Sequence, residues 1–216
     1  MTITTRATLG LVAAFAIAFC SSAASAAMIE IQFTGLDIVY DGSSITDAGG
    51  AGADTLSTTT IQVDGVDAPG TPFASGGLAI DIDIPGVSAI PLTTGSVTTV
   101  GAGSATLTLP GGDFLSLVLG PATITYVDGG FAEFVFGGSV ASISGQSLPL
   151  PGDLELGEPT SFSFSTQIGA STDDGTNFTS FSASGTGEIT GPAIPEPTAA
   201  VLAALAGIAA IGRRSA

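Results

Sequence analysis

The chain has 216 residues and a formal net charge of −16: nineteen acidic residues stand against three Arg, with no Lys and no His. The bases are Arg6, Arg213 and Arg214, so nothing between them can neutralise a phosphate or an anionic lipid surface, and nucleic acid is excluded as a partner of the central body. Without His, Lys or, beyond Cys20, any thiol, the body can build no Ser-His-Asp triad, Cys-His dyad, Ser-Lys nucleophile, imidazole zinc site or Lys/Arg phosphoryl clamp, which leaves carboxylates for any chemistry.

Residues 1–26 have the three parts of a secretory signal peptide. Arg6 gives the positive start, and Ala7 to Phe19 is an apolar stretch too short to span a bilayer. Ala24-Ser25-Ala26 is a small-x-small site, which puts signal peptidase cleavage before Ala27. Cys20 is not a lipidation site, because the residue before it is the bulky Phe19. Once the signal is removed the body has no thiol and therefore no disulfide.

From residue 27 to 192 the pattern is β throughout. Alternating runs cover 29–33, 60–64, 79–84, 105–109, 114–119, 122–127, 131–136, 161–165 and 178–182. A period of two places one face of each run in a core and the other in water. Gly-, Pro- and Asp-rich breaks separate the runs, and Asp128-Gly129-Gly130 and Asp174-Gly175 are tight-turn signals. Ser43 to Asp54 and Ser147 to Pro159 are the longest pieces without such a pattern. The expected fold is all-β: a single antiparallel β-sandwich-like domain, flanked by an N-terminal signal helix and a C-terminal hydrophobic helix. Ser and Thr fill the outward positions, and no Lys guards the sheet edges.

Three features of the body bear on a site. Gly49-Gly-Ala-Gly-Ala-Asp54-Thr-Leu56-Ser fits one copy of a calcium nonapeptide, with Asp41 and Asp47 near enough in sequence to add oxygen ligands beside Asp54. Such sites form between consecutive repeats, and a plain Gly-rich loop explains the same residues. Asp81 with Asp83, and Asp153 with Glu155, are spaced to share a strand face, as a carboxylate-dependent glycosidase would need and as any solvated acidic face also has. A glycan-binding module usually stacks sugars on Trp or Tyr; there is no Trp, and Tyr40 and Tyr126 read as strand or core residues. Asn177-Phe178-Thr179 fits a glycosylation sequon without further support.

The C-terminus, residues 193–216, carries the clearest signal. Pro195-Glu196-Pro197 is followed by an uncharged apolar stretch from Thr198 to Gly212 and then Arg213-Arg214. The prolines stop a helix from running back into the body. The apolar stretch reaches about 22 Å as a helix, marginal against a hydrocarbon core of about 30 Å. The Arg pair holds its end at the cytoplasmic surface of the inner membrane. In this order the three parts resemble the PEP-CTERM sorting signal of Gram-negative bacteria. That resemblance covers only the tail. It implies processing near Pro195, Glu196 and Pro197 by a membrane-embedded exosortase, and a setting of exopolysaccharide and biofilm matrix. It implies nothing about the body.

The sequence therefore leads to an exported cell-surface or matrix protein, non-enzymatic and structural or adhesive. It is transiently anchored in the inner membrane by its C-terminal helix, with extracellular polysaccharide as a partner. A glycan-binding module, calcium-assisted or not, is the alternative. No cofactor is expected apart from that calcium.

Overall fold

The structure is a computed structural model that describes residues 27–49, 53–74, 76–99, 103–128 and 132–195. Both terminal helices expected from the sequence lie outside these residues. In chain order the strands are β1 (Met28–Tyr40), β2 (Ser44–Asp47), β3 (Asp54–Thr55), β4 (Thr58–Val63), β5 (Val66–Asp67), β6 (Phe73–Ala74) and β7 (Ala79–Pro85). They continue as β8 (Gly95–Thr98), β9 (Gly103–Thr108), β10 (Phe114–Asp128), β11 (Ala132–Ser147), β12 (Leu154–Leu156), β13 (Ser161–Asp173) and β14 (Phe178–Pro195). The described residues contain no helix, and every strand pairing is antiparallel.

The pairings form a closed circuit. From β1 they pass through β14, β13, β11, β10, β9, β7 and β2, and β2 pairs back onto β1. Closure removes the long open edges that invite aggregation. Two long strands make it possible by changing partners along one side. The full length of β1 lies against β14, while its other side pairs with β4 over Ile29–Thr34 and with β2 over Ile38–Tyr40. The change falls at Gly35, where φ is +80° and the β1–β14 register shifts. A Cβ there would stand 2.7 Å from the Ser57 amide nitrogen, and that amide donates to the Thr34 carbonyl at 2.8 Å. Only glycine fits this bulge. In the same way β10 pairs with β9 up to Leu119 and with β8 from Thr123, switching across Gly120-Pro121.

Alternation along the strands fills one core. Ile29, Ile31, Phe33, Leu36, Ile38 and Tyr40 of β1 are buried with Ile80, Ile82 and Ile84 of β7, Leu115 and Leu117 of β10, and Phe162 and Phe164 of β13. Burial of such side chains, at about 25 cal/mol per Å² of apolar surface, is the main driving force for this fold. Phe33, Phe162 and Phe164 form one run of ring contacts; Tyr40, Phe181, Phe178 and Tyr126 form another. Both tyrosines are thus core residues.

Strands run further than the alternation suggests. The runs expected at 114–119 and 122–127 are one strand, β10, with register shifts near its middle. β11 continues to Ser147 and β13 to Asp173. β2 and β12 lie inside the two segments expected to be irregular. Asp174-Gly175 does sit in a hairpin: Asp173 pairs with Phe178, and the Asp174 carboxylate accepts the amides of Thr176 and Asn177. Asp128 pairs with Ala132, and Gly129 and Gly130 of the other expected turn lie outside the described residues.

Candidate functional site

With no base in the body, its carboxylates turn to backbone amides. Asp41 closes the β1–β2 hairpin, where its Oδ1 accepts the amides of Ser43 at 2.9 Å and Ser44 at 2.8 Å and the Ser43 hydroxyl at 3.0 Å. These bonds hold its pKa below the ordinary aspartate value. Asp47 is buried at the end of β2. There β7 has left β2, and β3 pairs with it only at Ile80 and Ala79. The Asp47 carboxylate fills that gap, accepting the amides of Ile82 at 3.2 Å and Gly49 at 2.9 Å. Asp54 does the same for β1, where its Oδ2 accepts the Asp37 amide at 2.8 Å, between the stretches that pair with β4 and β2.

Asp41, Asp47 and Asp54 therefore do not converge on one point. Among the described residues no group of three or more acidic side chains is arranged to hold a metal ion. Residues 50–52 of the glycine loop are not described. What does come together is an acidic neighbourhood around Asp47. Asp81 has its pKa raised by desolvation, by the Asp47 charge and by a hydrogen bond with Asp47, and then by Asp83. Asp54 is raised by burial and by the charges of Asp37 and Asp47, against the lowering effect of its amide bond.

Asp81 and Asp83 are exposed on the outer face of β7, opposite Thr106 and Ser104 of β9. Asp153 and Glu155 are separated. Asp153 is exposed in a turn at φ 55°, whereas Glu155 lines a cleft of about 480 Å³ between β11 and β12. Glu158 lines the same cleft, and its carboxylate accepts the Ile143 amide at 3.2 Å. Nearby, the Gln146 side chain satisfies both the amide and the carbonyl of Leu156. Here too polar side chains complete backbone pairing where a strand partner ends.

The outer face of β4, β1, β14 and β13 has a different character. The register lines up its outward residues in rows across the four strands. Gln62, Glu30, Thr190 and Ser161 form one, Thr60, Gln32, Glu188 and Ser163 the next, and Thr58, Thr34, Thr186 and Ser165 the third. All twelve positions are polar, and eight carry hydroxyls. The Gln32 amide donates to Glu30, Thr34 and Thr58 share a hydrogen bond at 2.7 Å, and Ser161 and Thr190 share one at 2.6 Å. Between the second and third rows lies a groove of about 410 Å³, lined by Gln32, Thr34, Ser163, Ser165, Thr186 and Glu188 with Phe33, Gly187 and Phe164. Sequence reasoning identified the Ser/Thr-rich outer face but not the groove, because the groove depends on which strands are neighbours.

Known protein families, characterised proteins and solved structures were compared with the chain, and none matches it. The reading of its function rests on its own residues.

Of the terminal residues singled out in the sequence, the structure describes Pro195 alone. It is the last residue of β14, exposed and paired with Leu154 of β12. Ala24, Ala26, Glu196, Pro197, Arg213 and Arg214 lie outside the described residues. β14 continues three residues past the domain boundary expected at 192. At this end of the fold, Met28 pairs with Pro192 and the Ala193 amide donates to the Ala27 carbonyl at 2.6 Å.

Proposed function

We propose that the chain is an exported, non-enzymatic protein of the bacterial cell surface or extracellular matrix, with a structural or adhesive body sorted by a PEP-CTERM-like tail. The observation that carries this reading is the adjacency of Ala27 and Ala193. The residue expected to follow signal cleavage and the strand leading into Pro-Glu-Pro are held together at one end of the β1–β14 pair. A body with both ends leaving one pole can fold outside while signal and tail are still in the same membrane. The hydroxyl-rich outer face and the use of acids as backbone acceptors favour a stable, soluble shell over catalytic machinery. In this reading the circuit is a β-sandwich-like body, its two walls facing across the core.

Glycan binding is the second reading, favoured by the groove over Gly187. Cell fractionation with intact-mass measurement tests the first. Extracellular or surface protein that begins at Ala27 and lacks Arg213-Arg214 is the expected result. Chains retained in the cytoplasm with both ends intact would overturn the proposal.

A further inference from the structure

The groove on the outer face crosses β1, β14 and β13 between two rows of polar side chains. Rows on one strand face are about 7 Å apart and neighbouring strands about 4.8 Å apart, so the groove is about 10 Å long, the scale of a sugar ring or two. The hydroxyls of Thr34, Ser163, Ser165 and Thr186 can both donate and accept, as a polyhydroxylated ligand requires. Glu188 sits half-buried in this wall, and its carboxylate makes no hydrogen bond with any described residue. Its carboxylate calls for a donor, best a cationic one. No base lies between Ala27 and Pro197 to supply it. The same charge balance turns away anionic polysaccharides.

We propose that this groove binds a polysaccharide carrying free, protonated amino groups, an amino-sugar polymer, with Glu188 receiving an ammonium group and the hydroxyl rows receiving the sugar hydroxyls. The proposal deepens the reading of the chain as a surface or matrix protein, and rests on it for where such a polymer is met. The binding itself is a property of the folded body, so it can fail while export and processing are confirmed, or hold while they are not.

The test is calorimetric titration of the full-length chain, purified in mild detergent, with a glucosamine hexamer at low ionic strength. Binding is expected, weakening as salt rises to about 0.15 M. The fully N-acetylated hexamer, which has lost its charges, should bind at least about tenfold more weakly. Glu188→Gln should lower affinity for the glucosamine hexamer about tenfold. Asp153→Asn removes the same charge from a remote exposed turn whose positive φ asparagine tolerates, and should change affinity little. Thr186→Val should weaken the glucosamine hexamer while leaving a lysine hexamer unaffected. Absence of binding would overturn the proposal. So would equal losses in Glu188→Gln and Asp153→Asn, which would mean diffuse attraction of any polycation, or a lysine hexamer that binds as tightly as the sugar.

Discussion

Phe33 and Gly187 face each other across the β1–β14 pairing, and the Phe33 ring occupies the space a side chain on Gly187 would need. The ring is buried and stacks on Phe162 at 6.3 Å, so it has no free volume into which to retreat. A glycine that weakens a strand on its own is here the condition for a large aromatic contact. Gly187→Ala should therefore destabilise by overpacking, about 1–3 kcal/mol, and Phe33→Ala by cavity formation, about 3–5 kcal/mol. Because the two occupy one space, the double variant should be less destabilised than the sum of the singles, with a coupling of about 0.5–3 kcal/mol. Urea denaturation of all four proteins measures it, and strict additivity would refute the contact.

Thr59 offers a gain in stability. It faces inward from β4, paired with Phe33 of β1 and Phe73 of β6, and its hydroxyl is buried without a hydrogen-bond partner. An unsatisfied buried hydroxyl costs about 1–3 kcal/mol, and valine keeps the shape and β-branching without it. Thr59→Val should raise stability by about 1 kcal/mol, or a few degrees in Tm. A lower Tm for this variant would show that the hydroxyl has a role in the folded state.

The acidic neighbourhood around Asp47 predicts an unusual pH profile. Asp54 and Asp81 have folded pKa values raised above the ordinary 3.8. They bind protons more tightly in the folded than in the unfolded chain, so the stability they contribute is full below 3.8 and is lost as pH rises through their folded values. Asp41 and Asp174 are lowered by backbone amides and act the other way, losing stability as pH falls below 3.8. Tm should therefore rise on acidification from neutral pH, peak near the ordinary aspartate pKa, and fall at lower pH. Asp81→Asn should raise Tm at neutral pH and flatten the rise. A Tm that falls steadily from neutral pH downward would contradict this account.

Why some of this was legible in the sequence and some was not follows from what alternation encodes. Ile29 to Phe33 and Ala79 to Ile84 alternate apolar and polar residues, and both proved to be core-facing strands. The second halves of β11 and β13 are rich in Ser, Gly, Ala and Thr, and Val140, Ile143 and Ile168 are too sparse among them to mark a period, yet both halves pair along their length. β2 is four residues long and was hidden in a Gly- and Asp-rich segment. The acids were read as candidates for calcium or catalysis because carboxylates are the only charged groups in the body. Their use as acceptors for orphaned amides depends on where strand partners end, as at Ile82 and Asp37, and a linear sequence does not mark those places. The groove was hidden for the same reason: Gln32, Glu188 and Ser163 lie far apart in sequence and form a row only through the β1–β14–β13 register.

If the tail is processed as proposed, the fold limits where it can be cut. Leu154, Glu155 and Leu156 pair with Pro195, Ile194 and Ala193, and Ala193 also donates to Ala27. A cut before Ala193 would strip β12 of its partner and remove the hydrogen bond that ties Ala27 to β14. Its products would be partly unfolded and exposed to further proteolysis. Residues up to Pro195 are held in a paired strand, which a protease needing an extended, free substrate cannot engage. The fold thus sets the upstream limit of processing, and the mature C-terminus should fall at Pro195 or later, within or after the Pro-Glu-Pro motif. Replacing Glu196, or Arg213 with Arg214, should leave precursor in the inner membrane or misroute it, through lost recognition in the first case and lost topology in the second. Leu154→Pro, which disrupts the β12 pairing, should let the cut move upstream while export continues. C-terminal peptide mass spectrometry of surface-extracted protein decides the matter, and a wild-type chain ending before Ala193 would defeat the prediction.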